Sequence, residues 1–147
     1  MLRVTSEVVD AVVAHALGEY PLEMCGLLAG ATADDAVTFY PCHNAAESAR
    51  IYTIDPTDHL RAELDAEDRD HEINGVVHSH THSEPYPSPT DVDAAVDPAW
   101  HYVIVGLKRG LPEVRSYRIV DGEIVPEEVD IVQVNIDGVD IAAVDTA

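Results

Sequence analysis

The stretch Gly75–Asp91, GVVHSHTHSEPYPSPTD, decides how this chain folds and where its chemistry lies. It opens with a valine pair typical of a buried strand. That strand ends at His78 and His80, and because side chains alternate across a strand, both imidazoles project from one face. The eleven residues from His80 to Asp91 contain three prolines. Within them the sequence SPTD predicts a helix start, with Ser88 as N-cap and Asp91 in the first turn. Two imidazoles and one carboxylate on rigid elements are a ligand set for a catalytic zinc ion with an open fourth position.

A further acid, Glu23, lies in the apolar segment PLEMCGLLAG, residues 21–30. A zinc hydrolase needs a base that takes a proton from the attacking water and is not itself a ligand. Taken alone, Glu23 reads equally well as a solvated loop acid, and the histidines as polar residues at a surface. Because the complete set of His78, His80, Ser88 and Asp91 accompanies it, the catalytic interpretation is favoured.

This pattern, E…HSH-x7-S-x-x-D, resembles the JAMM signature of MPN-domain zinc metalloproteases, and the order of elements agrees with that family to about residue 120. The resemblance implies one Zn²⁺ per chain, held by His78, His80 and Asp91. It further implies Glu23 as general acid/base and Ser88 as the serine that stabilises the oxyanion.

The resemblance also implies a substrate class. We expect hydrolysis of isopeptide or linear amide bonds after the C-terminal Gly-Gly of ubiquitin-like modifier proteins, which would be the partners together with their conjugates. Two other activities on the same fold stay open: processing the C-terminus of a sulfur-carrier protein, including removal of an attached cysteine, and hydrolysis of a metabolite amide. A non-catalytic MPN scaffold ranks low because such scaffolds typically lose ligands. A zinc deaminase is rejected because no P-C-x-x-C motif follows His82-Ser83-Glu84.

The fold class expected is α/β: a single MPN-like (cytidine-deaminase-like) domain, residues 1–134, with a mixed β-sheet between helices, followed by an acidic tail, residues 135–147. Helical periodicity and capping signals predict helices over residues 6–18, 56–69 and 88–96. Apolar runs, alternation and turn signals predict strands over residues 24–29, 36–40, 50–54, 73–79, 101–107, 114–120, 123–125 and, at an edge, 129–134.

Several residues outside the signature have open roles. His43 and Asn44 are either groove residues or a hydrogen-bonded loop pair, in a region that the resemblance places beside the groove for the modifier's tail. His82 is close to the ligand pair but is left out of the metal set, because the family pattern does not use its position. Cys25 and Cys42 are too few for a disulfide framework, and free thiols are favoured.

Acidic residues dominate the composition: 28 Asp and Glu against 8 Lys and Arg, a net charge of −20 over 147 residues. Such a chain repels nucleic acid and anionic membranes, so both are excluded as expected partners. No apolar run approaches membrane-spanning length and no signal-peptide pattern opens the chain, so a cytoplasmic location is expected. The 46% apolar content argues against disorder and favours a folded domain whose acidic surface is adapted to molar salt, as in a halophilic archaeal cytoplasm.

This charge predicts that salt stabilises the fold. We expect the thermal unfolding midpoint to rise as KCl increases from 0.1 M to about 2 M, since repulsion among exposed carboxylates is then screened over a few ångströms. Circular dichroism during heating measures the midpoint at each concentration. A midpoint that is flat or falls with salt would contradict adaptation to molar salt.

Overall fold

The computed structural model describes residues 1–134 and 140–144, with side chains described to residue 133. Its helices are α1 Ser6–Glu19, α2 Pro56–Asp68 and α3 Pro89–Ala94. Its strands are β1 Leu2–Thr5, β2 Cys25–Gly30, β3 Asp35–Ala36, β4 Thr38–Cys42, β5 Glu72–His80, β6 His101–Gly106, β7 Glu113–Val120, β8 Glu123–Glu127, β9 Val129–Val134 and β10 Asp140–Val144.

Most strands form one mixed six-stranded sheet in the order β4-β2-β5-β6-β7-β8. Only β5 and β6 run parallel among its described pairs; the other neighbours are antiparallel. A second sheet has the order β10-β9-β1-β3, with β1 parallel to both β9 and β3. The strand that carries the two histidines, β5, therefore lies in the interior of the larger sheet.

Both faces of the large sheet are covered by a helix. Leu28 and Val77 point to the face covered by α1, where they pack with Val12 and Ala16. Their neighbours in sequence, Leu27 and Val76, point to the opposite face, where they pack with Ala62 of α2. This alternation follows from the two-residue period of a strand, and it confirms the expected α/β fold with helices on both sides of a mixed sheet.

The prediction of a strand over residues 50–54 is wrong. This segment has no regular structure apart from one isolated bridge between Asn44 and Ile54. Its polar and apolar residues alternate as in a strand, but the Asn44 side chain bonds the backbone of Ile51 and Thr53 and takes the place of a β-ladder.

Two short strands, β1 and β3, were not predicted, and both belong to the second sheet. The strand predicted at residues 129–134 is present as β9, but it pairs with β1 and β10 rather than at the edge of the main sheet. The first helix is capped by Thr5, whose hydroxyl accepts a hydrogen bond from the Val8 amide.

The predicted acidic tail, residues 135–147, lies partly outside the described residues, namely at 135–139 and 145–147. Residues 140–144 form β10, antiparallel to β9. The domain boundary after residue 134 stays a prediction. In the described part of the chain, no helix combines the length and the apolar character that crossing a bilayer requires.

Cys25 and Cys42 lie opposite each other on β2 and β4, and both are buried and free. Burial raises the pKa of each thiol to about 12, so both remain protonated near neutral pH. In this arrangement they act as small core residues.

A buried polar cluster fixes the start of β6. His101 is fully buried, with its Nδ1 2.8 Å from Glu127 Oε2 and its Nε2 3.0 Å from Asp34 Oδ1. The hydroxyl of Ser116 donates to the same Glu127 oxygen at 3.1 Å. Because His101 pairs with Gly75 of β5, this cluster joins β7, β8 and the loop before β3 to the strand that carries the site.

We expect Glu127→Gln to destabilise the fold by about 1–3 kcal/mol at pH 7 and to flatten its pH dependence. Burial alone raises the pKa of the Glu127 carboxyl, but hydrogen bonds and charge from His101 outweigh burial and leave that pKa below its usual value. A carboxyl with a lowered folded-state pKa stabilises the fold above the unfolded value, roughly 4.3, and this contribution is lost as pH falls below it. Urea unfolding at pH 7, 4 and 3 measures the difference.

Glu123→Gln is the matched control, because Glu123 is exposed on the same strand. A Glu127→Gln variant whose stability falls with acid as steeply as that of the wild type would show that the His101 cluster does not carry this dependence.

Candidate metal centre

The three predicted ligands converge on one point. His78 Nε2 and His80 Nε2 are 3.0 Å apart, and Asp91 Oδ2 lies 3.2 Å from the first and 3.1 Å from the second. In tetrahedral coordination with bonds near 2.05 Å, ligand atoms would stand about 3.3 Å apart, so the observed spacing fits one zinc ion. Two neutral imidazoles and a carboxylate are also the donor types that zinc prefers, so the residues present fit the group that the sequence implies.

Local sequence explains how each ligand reaches this point. His78 and His80 are two apart near the end of β5 and therefore share a face. Asp91 belongs to a capping box at the start of α3: its Oδ2 accepts from the Ser88 amide at 2.9 Å, while Ser88 Oγ accepts from the Asp91 amide at 3.1 Å. Proline at the first helical position pre-sets this turn.

The ring of His80 is oriented by the loop that follows it. Its Nδ1 lies 2.7 Å from the Glu84 carbonyl, which can only accept, so Nδ1 carries the proton and Nε2 is left to face the site. The next residue in the loop, Pro85, accepts a short hydrogen bond from the Tyr117 hydroxyl on β7. Pro85 also packs so closely against Gly106 that a Cβ there would lie 2.9 Å from its side chain. The main sheet thus supports the loop that orients a ligand.

Charge and burial act in opposite directions on the ligands. Burial lowers the pKa of His78, which favours the neutral form that binds metal. Burial alone raises the pKa of the Asp91 carboxyl, but hydrogen bonds from His78 and His80 outweigh it and hold that pKa well below its usual range. Burial also lowers the pKa of His80, but hydrogen bonds with Asp91 and the Glu84 carbonyl outweigh it and leave that pKa raised. Because only the neutral ring binds a metal, a cation would compete with a proton at His80.

Glu23 lies beside this group with a free carboxyl. Its side chain is only 3% exposed, and burial raises its pKa to about 7 despite the opposing charge of His80. The Oε1 atom is buried and has no hydrogen-bond partner among the described residues. Ser79, between the two histidines, fixes this segment: its hydroxyl accepts from the Met24 amide at 2.8 Å, and its amide donates to the Met24 carbonyl at 3.1 Å.

A loop in which the sequence predicted a strand contacts the site. We call residues 43–54 the Asn44 loop, because the buried Asn44 holds it together. Asn44 Nδ2 donates to the carbonyls of Glu23 and Ile51, both at 3.0 Å. Its Oδ1 accepts from the amides of Ala46 and Thr53, also at 3.0 Å. Of the two readings left open for Asn44, the hydrogen-bonded loop residue is the one that the structure shows.

The Asn44 loop touches the site at three further points. The Tyr52 ring stacks on His78 with centroids 4.4 Å apart and an interplanar angle of 22°. The Ser48 carbonyl accepts from the Glu23 amide at 2.9 Å, and the Ala49 carbonyl accepts from the Thr81 hydroxyl at 3.2 Å. None of these contacts has a local sequence signal, because each partner lies more than 20 residues away.

His82 is not among the converging ligand atoms. Its side chain is exposed, with Nε2 3.3 Å from the Tyr20 hydroxyl and Nδ1 2.9 Å from the Thr81 hydroxyl. It therefore lies at the rim of the site, next to the segment that leads to Glu23.

An apolar cavity of about 380 Å³ adjoins the metal centre on the α2 face of the sheet. Its floor contains Val76, which is two residues before His78 on the same face of β5. Tyr52 and Ile54 line one side and Trp100 another. Because Tyr52 also stacks on His78, the cavity and the ligand group share a wall.

An α/β domain with a His-His-Asp group beside a buried acid defines the class of the JAMM/MPN proteins, and comparison with known families agrees. The family model described as prokaryotic homologs of the JAB domain matches residues 5–120. The chain belongs to this family, which confirms the resemblance drawn from the signature.

Two curated relatives cover most of the chain. The CysO-cysteine peptidase of Mycobacterium tuberculosis is 40% identical over 135 residues, which span 90% of this chain and 92% of that protein. The desampylase of Haloferax volcanii is 33% identical over 109 residues, 70% of this chain and 78% of that protein. The family and these relatives support a hydrolase.

Solved structures agree with the fold. A solution structure of a Desulfitobacterium hafniense protein superposes with a TM-score of 0.82 at 30% identity and covers 90% of this chain and 94% of that one. A JAB1/MPN domain protein from Archaeoglobus fulgidus has a TM-score of 0.54 at 18% identity, covers 88% of this chain and 96% of that one, and shows the fold alone.

We expect the chain to bind one zinc ion, and His78→Ala to weaken binding by more than the roughly 10–100-fold that follows loss of a residue supporting a ligand. His82→Ala is the matched control: this neighbouring histidine is outside the ligand group, so its variant should bind zinc as the wild type does. Calorimetric titration of chelator-treated protein measures both. Equal losses in the two variants would contradict the ligand set.

Proposed function

We propose that this chain is a zinc-dependent peptidase of the JAMM class that cleaves the amide bond after the C-terminal Gly-Gly of ubiquitin-like modifier proteins, releasing the modifier from isopeptide-linked or linear conjugates. The observation that carries the proposal is the buried Oε1 atom of Glu23, which has no hydrogen-bond partner among the described residues and belongs to a carboxyl with a pKa of about 7, beside three converging donor atoms. A buried acid without a partner is costly in a purely structural role, whereas a general base needs a free oxygen and a pKa near neutrality.

His78, His80 and Asp91 would hold the metal. A bound zinc ion supplies Lewis acidity to the scissile carbonyl and to the attacking water. Glu23 accepts a proton from that water through its unpartnered oxygen as the water oxygen bonds to the amide carbon. Glu23 then returns the proton to the leaving nitrogen as the carbon–nitrogen bond breaks, which yields a carboxylate and an amine.

We assign stabilisation of the oxyanion to the Ser88 hydroxyl, which also caps α3. In the capping box its oxygen accepts from the Asp91 amide at 3.1 Å, which uses a lone pair and leaves the hydroxyl proton free. That proton can be donated to a developing oxyanion, an interaction worth roughly 3–4 kcal/mol per donor. The capping role and the proposed catalytic role are therefore compatible.

The surroundings of the site suit an extended peptide that ends in small residues. Two glycines pass a site crowded by the Tyr52 and His78 rings without a side chain to collide with them. The adjoining apolar cavity can receive a side chain further along the peptide, since a strand advances about 3.3 Å per residue.

A second candidate has a specific observation in its favour. The relative named as a CysO-cysteine peptidase is 40% identical over nearly the whole chain, a closer and longer match than the desampylase at 33%. On that reading the leaving group is a single amino acid attached to the C-terminus of a sulfur-carrier protein, and the residues at the metal centre have the same roles.

We expect Glu23→Gln to lower kcat by about 10³-fold on either kind of substrate, because general-base catalysis is worth roughly 10²–10⁴-fold, and to leave zinc affinity unchanged. Release of the modifier from a lysine isopeptide and from a cysteine adduct, followed by mass spectrometry, measures turnover. Glu19→Gln, which alters an exposed acid at the end of α1, is the control.

Loss of zinc in Glu23→Gln would move Glu23 into the ligand set and overturn its assignment as the base. Full activity in that variant would remove the proposed mechanism altogether.

A further inference from the structure

Arg50 belongs to the Asn44 loop, whose neighbouring residues contact the candidate metal centre. It follows two residues of the Asn44 loop that bond directly to the site: the Ser48 carbonyl to the Glu23 amide, and the Ala49 carbonyl to Thr81. Its own amide donates to Ser48 Oγ at 3.0 Å, which fixes its backbone. Two residues later, Tyr52 stacks on a ligand ring. The hydrogen bonds of residues 48–50 thus fix the backbone of Arg50 near the segments that carry Glu23 and the ligand residues. Its side chain is exposed.

Arg50 has no ion pair among the residues that the structure describes, which sets it apart from most basic side chains of this chain. With 28 acids to 8 bases, a basic side chain finds a carboxylate easily. Six of the eight do so in the described part of the chain: Arg3, Arg69, Lys108, Arg109, Arg115 and Arg118. Arg50 and Arg61 have no described ion pair or side-chain hydrogen bond. Only Arg50 is next to the site, so its guanidinium remains available to an anion brought by a substrate.

We propose that Arg50 binds the free α-carboxylate of a single amino acid released from the C-terminus of the modifier. This inference rests on the proposed function and deepens its second candidate. An incoming carboxylate would be repelled by Glu23 and Asp91, and a neighbouring guanidinium offsets that repulsion. The planar guanidinium of Arg50 can donate two parallel hydrogen bonds, one to each carboxylate oxygen.

The proposed role of Arg50 depends on whether the leaving group carries a free α-carboxylate near the leaving nitrogen. In an amino-acid adduct, the carboxylate carbon is two bonds from the leaving nitrogen, so the anion lies within the site when the amide is positioned for cleavage. In a lysine isopeptide, the leaving nitrogen is at the end of the side chain, and the α-carboxyl is part of a peptide bond. Arg50 therefore favours adducts that carry a free carboxylate.

The test compares two substrates that differ only in that charge: CysO with one C-terminal cysteine, and the same adduct with its terminal carboxyl converted to a carboxamide. We expect the wild type to prefer the carboxylate by about tenfold in kcat/KM, an exposed charge-assisted contact being of this order. Arg50→Gln should remove the preference by raising KM for the carboxylate while leaving cleavage of the carboxamide unchanged. Arg50→Lys should restore part of the preference for the carboxylate, since lysine returns the positive charge but not the planar guanidinium that binds both carboxylate oxygens.

Arg61→Gln is the matched control, because Arg61 is exposed on α2 and likewise has no described ion pair. The proposal would be overturned if the wild type showed no preference for the carboxylate or if the preference survived Arg50→Gln. It would also be overturned if Arg61→Gln removed the preference as well.

A binding measurement separates this proposal from the proposed function. The same two adducts are titrated into chains carrying Glu23→Gln, with and without Arg50→Gln. Tenfold tighter binding of the carboxylate that depends on Arg50 supports the inference even where the wild type cleaves neither adduct, a result that would refute only the peptidase activity. Equal binding of both adducts refutes the role of Arg50 whether or not either is cleaved.

Discussion

The register of β2 against β5 is the constraint on which the site depends. Cys25 lies opposite His78, so Glu23 reaches the end of β2 beside the two histidines. Ser79, which lies between the two histidines in sequence, reinforces this register with two hydrogen bonds to the backbone of Met24. A slip of one residue would turn every side chain of β5 to the other face and would bury His78 and His80 under α1. The position of Glu23 relative to the two histidines therefore depends on a backbone pairing inside the sheet.

The Asn44 loop shows how an irregular segment becomes rigid enough to line a site. Asn44 bonds five backbone groups, four within the loop and the carbonyl of Glu23 just before β2. Apart from the bridge between Asn44 and Ile54, the loop has no strand geometry, so it can bring Tyr52 onto the His78 ring while Arg50, two residues earlier, stays exposed. The Asn44 side chain thus links the proposed chemistry to the proposed preference for a free carboxylate.

Local patterns predicted the three side chains that converge at the candidate metal site, and nonlocal contacts explain what was missed. His78, His80 and Asp91 follow from two short-range rules, the two-residue period of a strand and the capping of a helix, and their convergence required only that the intervening loop close. The second sheet could not be predicted, since β1 and β3 are very short and gain stability from partners far along the chain. The alternation over residues 50–54 was misleading because a side chain, not a neighbouring strand, satisfies that backbone.

The capping box at Ser88 and Asp91 positions a proposed ligand through hydrogen bonds of the polypeptide itself. Its two hydrogen bonds orient the carboxylate of Asp91 at the start of α3. The histidines are likewise held by β5 and by the Glu84 carbonyl. In a zinc finger the metal supplies the folding free energy, whereas here the three donor groups are arranged by the same backbone pairing and helix capping that stabilise the domain.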